Sequence, residues 1–160
     1  MPARKLCEFL DANHAAYVIQ THSLAYTAQG TAALTHTPGR EMVKTVIVQW
    51  GGRYAMAVLP ANEHIEFGAL ARAVGSHDVQ IADEKEFAGL FPDCEVGAMP
   101  PFGNLYGLPV FMDEDLTTNR EIAFNAGSHR EVVRMPLGEY LKLVRPTIVA
   151  FAATPAAAGD

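Results

Sequence analysis

Three places in this chain carry residue types that could do chemistry. The first is Lys44, inside the run Met42-Val43-Lys44-Thr45-Val46-Ile47-Val48-Gln49-Trp50. Strand side chains alternate between faces. Lys44 therefore shares a face with Val46, Val48 and Trp50, while Val43, Thr45 and Ile47 line the other. Both faces are apolar, so the run predicts a central strand with Lys44 pointing toward a packed layer. An ammonium there must pair, line a cavity, or carry its stem across the layer to water.

The second place is Gly97-Ala98-Met99-Pro100-Pro101-Phe102-Gly103. Two prolines stiffen the segment, and two glycines let the backbone bend sharply or approach a ligand. Such a loop offers fixed carbonyls and amides to a substrate, or simply connects two elements. The third is Phe124-Asn125-Ala126-Gly127-Ser128-His129-Arg130, where a strand ends and a glycine turn presents three polar side chains. His129 is a polar contact that can titrate near neutral pH, or a solvated turn residue.

Other chemistries find little support. The histidines at 14, 22, 36, 64, 77 and 129 are scattered, and neither H-E-x-x-H nor C-x-x-C occurs, so no metal site is expected. Asp113-Glu114-Asp115 could bind a cation, though a short acidic turn is usually solvated. Ser128 and His129 are sequence neighbours, which is poor geometry for a nucleophile and its base, and no G-x-S-x-G elbow exists. Cys94 lies between Asp93 and Glu95, which disfavours its thiolate.

The elements that must position these residues follow from pattern and punctuation. Residues 2–14 read as a helix with Pro2 in its first turn, and 17–19 as a short strand. Thr27 caps a small helix to Leu34. The strand 42–50 turns through Gly51-Gly52 into an antiparallel return, Arg53 to Leu59. A helix over 65–74 has Asn62 as a possible cap and Gly75 as its stop. Residues 79–82 form a short strand, and Asp83 with Glu86 opens a helix in the manner of a capping box. Strands at 109–112, 121–125 and 131–135 precede a helix opened by Pro136. No βαβ rhythm, G-x-G-x-x-G or phosphate loop appears. The expected fold is a compact α+β domain over 1–152, with a mixed, largely antiparallel, barrel-like sheet and flanking helices, and a loose tail at 153–160.

Composition bounds the rest. With 160 residues, 49% hydrophobic and 19% charged, the chain suits one globular domain. No apolar run approaches the ~20 residues of a membrane helix, the N-terminus does not read as a signal peptide, and two cysteines form no framework. A cytoplasmic location with no membrane partner is expected. Net charge is −6, yet segments 78–95 and 113–115 hold nine of the 18 acids. A local basic face is possible, but the broad positive footprint of a duplex DNA binder is not.

Together these segments resemble the YbaK/prolyl-tRNA synthetase-associated family, stand-alone relatives of the editing domain of bacterial prolyl-tRNA synthetases. The carriers are Met42 to Val48, Ala57-Val58-Leu59-Pro60, Gly97 to Gly103, Leu108-Pro109-Val110-Phe111-Met112-Asp113 and Ile122 to Gly127, in family order across roughly residues 1–145. The resemblance implies hydrolysis of a mischarged aminoacyl-tRNA at the ester on the terminal adenosine. Water would be the nucleophile, assisted by the adenosine 2′-hydroxyl, without metal or organic cofactor. It implies catalytic roles for Lys44 and for the Gly97 and Ala98 backbone. Thr45, Met99, Pro100, Phe102, Asp113, Gly127, Ser128 and His129 would contact substrate.

An aminoacyl ester is already activated, so positioning and oxyanion stabilisation could suffice without a visible triad. The implied partner is the aminoacyl-tRNA acceptor end, with a synthetase as a possible second; oligomeric state stays open. Thr45 stands where alanine-type members carry Asn, so the resemblance does not choose among small amino acids. Two alternatives remain: a non-catalytic module binding aminoacyl-tRNA or a synthetase, and a general small-ester hydrolase.

Overall fold

A computed structural model describes residues 3–153. The expectations for Pro2 and for a tail beyond Ala153 lie outside them. Helix α1 (Arg4–Ala12) buries Leu6 and Leu10, one turn apart on a single face. Strand β1 (Val18–Thr21) leads to α2 (Ala28–Leu34), where the Thr27 hydroxyl accepts from the Gly30 amide at 2.9 Å, as the sequence predicts. Strands β2 (Met42–Trp50) and β3 (Arg53–Pro60) pair antiparallel from Val43↔Pro60 to Trp50↔Arg53. The hairpin closes because Gly51 and Gly52 both take positive φ, +52° and +76°, which matches the twist of the strands.

Two residues, His64 and Ile65, form a short strand β4 that sequence patterning does not reveal. Helix α3 (Phe67–Val74) consequently starts later than expected. Its cap is Glu66, not Asn62: the carboxylate accepts from the amides of Gly68 and Ala69 at 3.1 and 3.0 Å. After β5 (Gln80–Ile81), Asp83 caps α4 (Glu84–Phe87) by accepting from the Lys85 amide. The reciprocal arm of the box is diverted, since Glu86 accepts from the Tyr54 hydroxyl. Strands β6 (Val110–Asp113), β7 (Glu121–Asn125) and β8 (Glu131–Pro136) precede α5 (Leu137–Val144), then β9 (Thr147–Val149) and β10 (Ala152–Ala153). Ala153 pairs with His64, so regular structure reaches one residue past the expected domain limit.

The main sheet runs β1-β8-β7-β2-β3-β6-β9, with β5 paired to β2. It is mixed: β2·β7, β3·β6 and β6·β9 are parallel, and the remaining pairs antiparallel. Its ends, β1 and β9, do not pair with each other among the described residues. The sheet is therefore open where the sequence suggests a barrel-like form.

Alternation along β2 sorts the core. Val43 and Ile47 join Met56, Val58, Phe124 and Val133 beneath α1 and α5, with Met99 and Phe102 of the glycine-proline loop in the same cluster. On the opposite face Met42 packs with Ala32 of α2, Ala123 and Val132, while Val48 packs with Ala57, Leu59, Leu70 of α3 and Phe151.

Candidate active site

Lys44 lies between those last two clusters, after Met42 and before Val46 and Val48 on the same face. Two helices, α2 and α3, cover the face on either side, and the ammonium emerges in the gap. It is half-buried and lines a cleft of about 170 Å³ with Val46, His64, Ile65, Phe67 and Ile81. Burial lowers its pKa from the ordinary lysine value, and the charge of Glu63 pulls it back up. Of the outcomes that the run 42–50 leaves open for this ammonium, the structure shows the one in which it lines a cleft.

Beside Lys44 stands a group of carboxylates. Oxygens of Glu63, Asp113 and Asp115 all lie within 4.8 Å of one another. Asp113 follows Met112, the partner of Val58, and so falls on the face of Leu59 and Lys44. It is buried, and its oxygens accept from three backbone amides: Phe151 at 2.9 Å, Ala152 at 2.8 Å and Asp115 at 2.9 Å. Asp113 is therefore a fixed anion that holds the chain after β9 onto the end of β6. With its oxygens so occupied, it offers little to a substrate contact or a cation. Glu63 differs, because its Oε2 is buried with no hydrogen-bond partner. Its pKa is raised to about 7, first by burial and then by the neighbouring Asp115 and Asp113, with Lys44 opposing. At neutral pH Glu63 can hold or release a proton next to the lysine.

The two glycine turns come together. The Glu95 amide donates to Gly127 O at 2.7 Å and the Gly127 amide to Ala98 O at 2.8 Å. The His129 amide donates to the Glu95 carboxylate at 3.0 Å, and its Nε2 lies 2.8 Å from Val96 O. His129 is only 5% exposed, its Nδ1 has no partner, and its ring lies 4.9 Å from that of Tyr26. Gly97, at φ +85°, passes under the imidazole: a Cβ there would meet His129 Cε1 at 3.4 Å.

Several expected contacts are thereby reassigned. The Ala98 amide donates to Glu95 O at 3.1 Å and Ala98 is fully buried, so that amide is not free to hold an oxyanion. Met99, Pro100 and Phe102 are buried, Phe102 packing edge-on to Tyr140 while the Tyr140 hydroxyl donates to Pro101 O. Ser128 donates to Glu131 and accepts from the Arg130 amide, bracing its own turn. Thr45, facing opposite to Lys44, shares the inner side with this loop. Neither turn contributes a side chain to the Lys44 cleft as lined above. Glu63 was invisible in the sequence: it sits in Ala61-Asn62-Glu63-His64, a polar link that only the tertiary fold carries to Lys44.

A mixed sheet with helices on both faces, a half-buried lysine on its central strand and a histidine turn braced by glycines define a small α+β domain with a largely apolar cleft that carries one lysine. Comparison with known proteins gives the class a family. Residues 22–143 match the aminoacyl-tRNA editing domain model, and the chain belongs to that family. Over 156 residues it is 26% identical to the multifunctional Ser/Thr-tRNA deacylase ProXp-y of Escherichia coli (strain K12), covering 94% of this chain and 93% of that one. The fold matches that of hypothetical protein APE2540, with a TM-score of 0.84 at 19% identity over 94% of this chain and 100% of that one. It also matches a proposed trans-editing enzyme for prolyl tRNA synthetase, with a TM-score of 0.81 at 23% identity over 94% and 96%. Among the described residues no helix is long and apolar enough to cross a membrane.

Proposed function

We propose that this chain is an aminoacyl-tRNA deacylase acting on a small amino acid, with seryl- and threonyl-tRNA the first substrates to try. The half-buried Lys44 ammonium, facing a cleft in a member of the editing family, carries the reading. The relative named a Ser/Thr-tRNA deacylase, aligned over nearly the full length of both chains, supports the choice of substrates.

Water adds to the ester carbonyl carbon, the bond from that carbon to the ribose oxygen breaks, and the ribose oxygen takes up a proton. The products are free amino acid and tRNA. Lys44 meets the anionic acceptor end, and its partial burial strengthens that attraction. The turn at His129 and the Gly97 loop brace each other through hydrogen bonds, which keeps both fixed for a substrate. Selection is by size, as a small cleft excludes larger side chains.

The test is release of amino acid from a panel of seryl-, threonyl-, alanyl- and cysteinyl-tRNA. Turnover of at least one supports the reading. Binding without turnover on all four replaces it with a binding module, and equal turnover of simple amino-acid esters replaces it with a general esterase.

A further inference from the structure

Strand β1 is an open edge of the main sheet. It pairs with β8 on one side and, among the described residues, with no strand on the other. The His22 amide donates to Arg130 O at 2.8 Å, which makes His22 and Arg130 a hydrogen-bonded pair. Bonded pairs recur at every second residue of an antiparallel ladder, so Gln20 with Val132 and Val18 with Arg134 are the next two. The amides and carbonyls of Ile19 and Thr21 therefore point away from β8, and no other segment among the described residues bonds to them. The side chains are open as well. Val18 is 62% exposed and Ile19 40%, on opposite faces of the strand.

Edge strands are ordinarily guarded against pairing with another chain by charge, proline or a bulge. The far edge of this sheet follows that rule, since Arg145 and Pro146 lead into β9. Strand β1 reads Val18-Ile19-Gln20-Thr21, with no charge and no proline, and its register with β8 advances one residue at a time without a bulge. We infer that β1 pairs antiparallel with β1 of a second copy of this chain, about a two-fold axis through Ile19. That register sets Ile19 against Ile19 with two backbone hydrogen bonds at the axis, and carries Thr21 toward Tyr17 on either side. On the other face Val18 meets Gln20 of the second copy. An axis through Gln20 would place at the centre a residue whose backbone groups are already turned to β8, and would separate the two isoleucines. The uncharged strand offers nothing to attract a nucleic acid or a charged peptide, whereas its own sequence covers both exposed apolar side chains. Lys44 lies three strands in from this edge, about 14 Å away, so pairing at β1 leaves the cleft of each copy uncovered. The contact is short, which places it among the small, weak interfaces.

Sedimentation equilibrium of the full chain, from about 10 µM to about 1 mM, reads the association. The weight-average mass is expected to rise toward twice that of one chain across this range. Ile19→Lys sets two ammonium groups against each other at the axis, and is expected to stay monomeric throughout with an unchanged circular dichroism spectrum. Oxidised glutathione is expected to link Ile19→Cys into a covalent dimer, because the two Cα atoms of a bonded pair stand about 5.5 Å apart. Val18→Cys, which faces Gln20 rather than itself, should link no more than the wild type, whose Cys7 and Cys94 set the background. A wild type monomeric over the whole range, a dimer that survives Ile19→Lys, or cross-linking of Val18→Cys in preference to Ile19→Cys would each overturn the assignment.

Discussion

The amide of Gly127 donates to the carbonyl of Ala98 at 2.8 Å, and this bond joins two turns that lie nearly thirty residues apart. Gly127 holds φ at +97°, and a Cβ on it would lie 2.7 Å from Ala3 Cβ and 3.1 Å from the Ala3 amide nitrogen. The Ala3 amide in turn donates to Ala126 O, so this turn also anchors the start of α1. Gly127→Ala therefore combines an unfavourable backbone region with a clash against backbone. It is expected to destabilise the fold by about 2–4 kcal/mol, read from urea unfolding. Alanine tolerated within 0.5 kcal/mol would contradict the packing at Ala3.

Asp113 makes a different kind of tie. Replacing it with Ala leaves the amides of Phe151, Ala152 and Asp115 without their acceptor. The expected cost is about 2–3 kcal/mol, because the Phe151 amide is buried and hydrogen bonds to charged groups are the stronger kind. Amide exchange should quicken first at Phe151 and Ala152. Unchanged exchange there would show that another group satisfies them.

Glu63 gives the fold a pH dependence of definite sign. Its pKa is raised from the ordinary 4.5 to about 7, so the folded state binds the proton more tightly than the unfolded chain. Its contribution is present below about 4.5 and is lost as pH rises toward 7. Glu63→Gln should thus match the wild type at pH 4 and exceed it at pH 8. Solvent reaches this site, which reduces the expected gain to about 1 kcal/mol. Thermal unfolding at the two pH values checks it, and an equal shift at both would remove the titration from the explanation.

Local chemistry was readable in the sequence where one segment decides its own shape. Gly51-Gly52 made the hairpin, Thr27 and Asp83 made caps, and the alternation through 42–50 put Lys44 on a packed face. Features that depend on distant segments were not readable. The parallel pairs β2·β7, β3·β6 and β6·β9 bring together strands separated by long stretches of chain, and no local residue preference encodes such neighbours. The strands β4 and β10 are two residues each and exist only because they meet. Helix α3 lost Asn62 as its cap for that reason. Residue type pointed to Ala98 as an amide donor to substrate, but Glu95 O already takes that amide. Met99 and Phe102 joined the core on the face of β2 opposite Lys44, which a one-dimensional list of motifs does not reveal.

Lys44 decides whether the cleft works on esters. Single-turnover release of amino acid from seryl- or threonyl-tRNA should fall about a hundredfold in Lys44→Ala, the size of loss that follows when the reacting end of a substrate is no longer held in place. Lys44→Arg keeps the charge and should recover part of the rate. Circular dichroism should show both variants folded, since Lys44 is only half-buried. A folded Lys44→Ala protein that releases amino acid at the wild-type rate would contradict the assignment of this cleft as the place where the ester is cut.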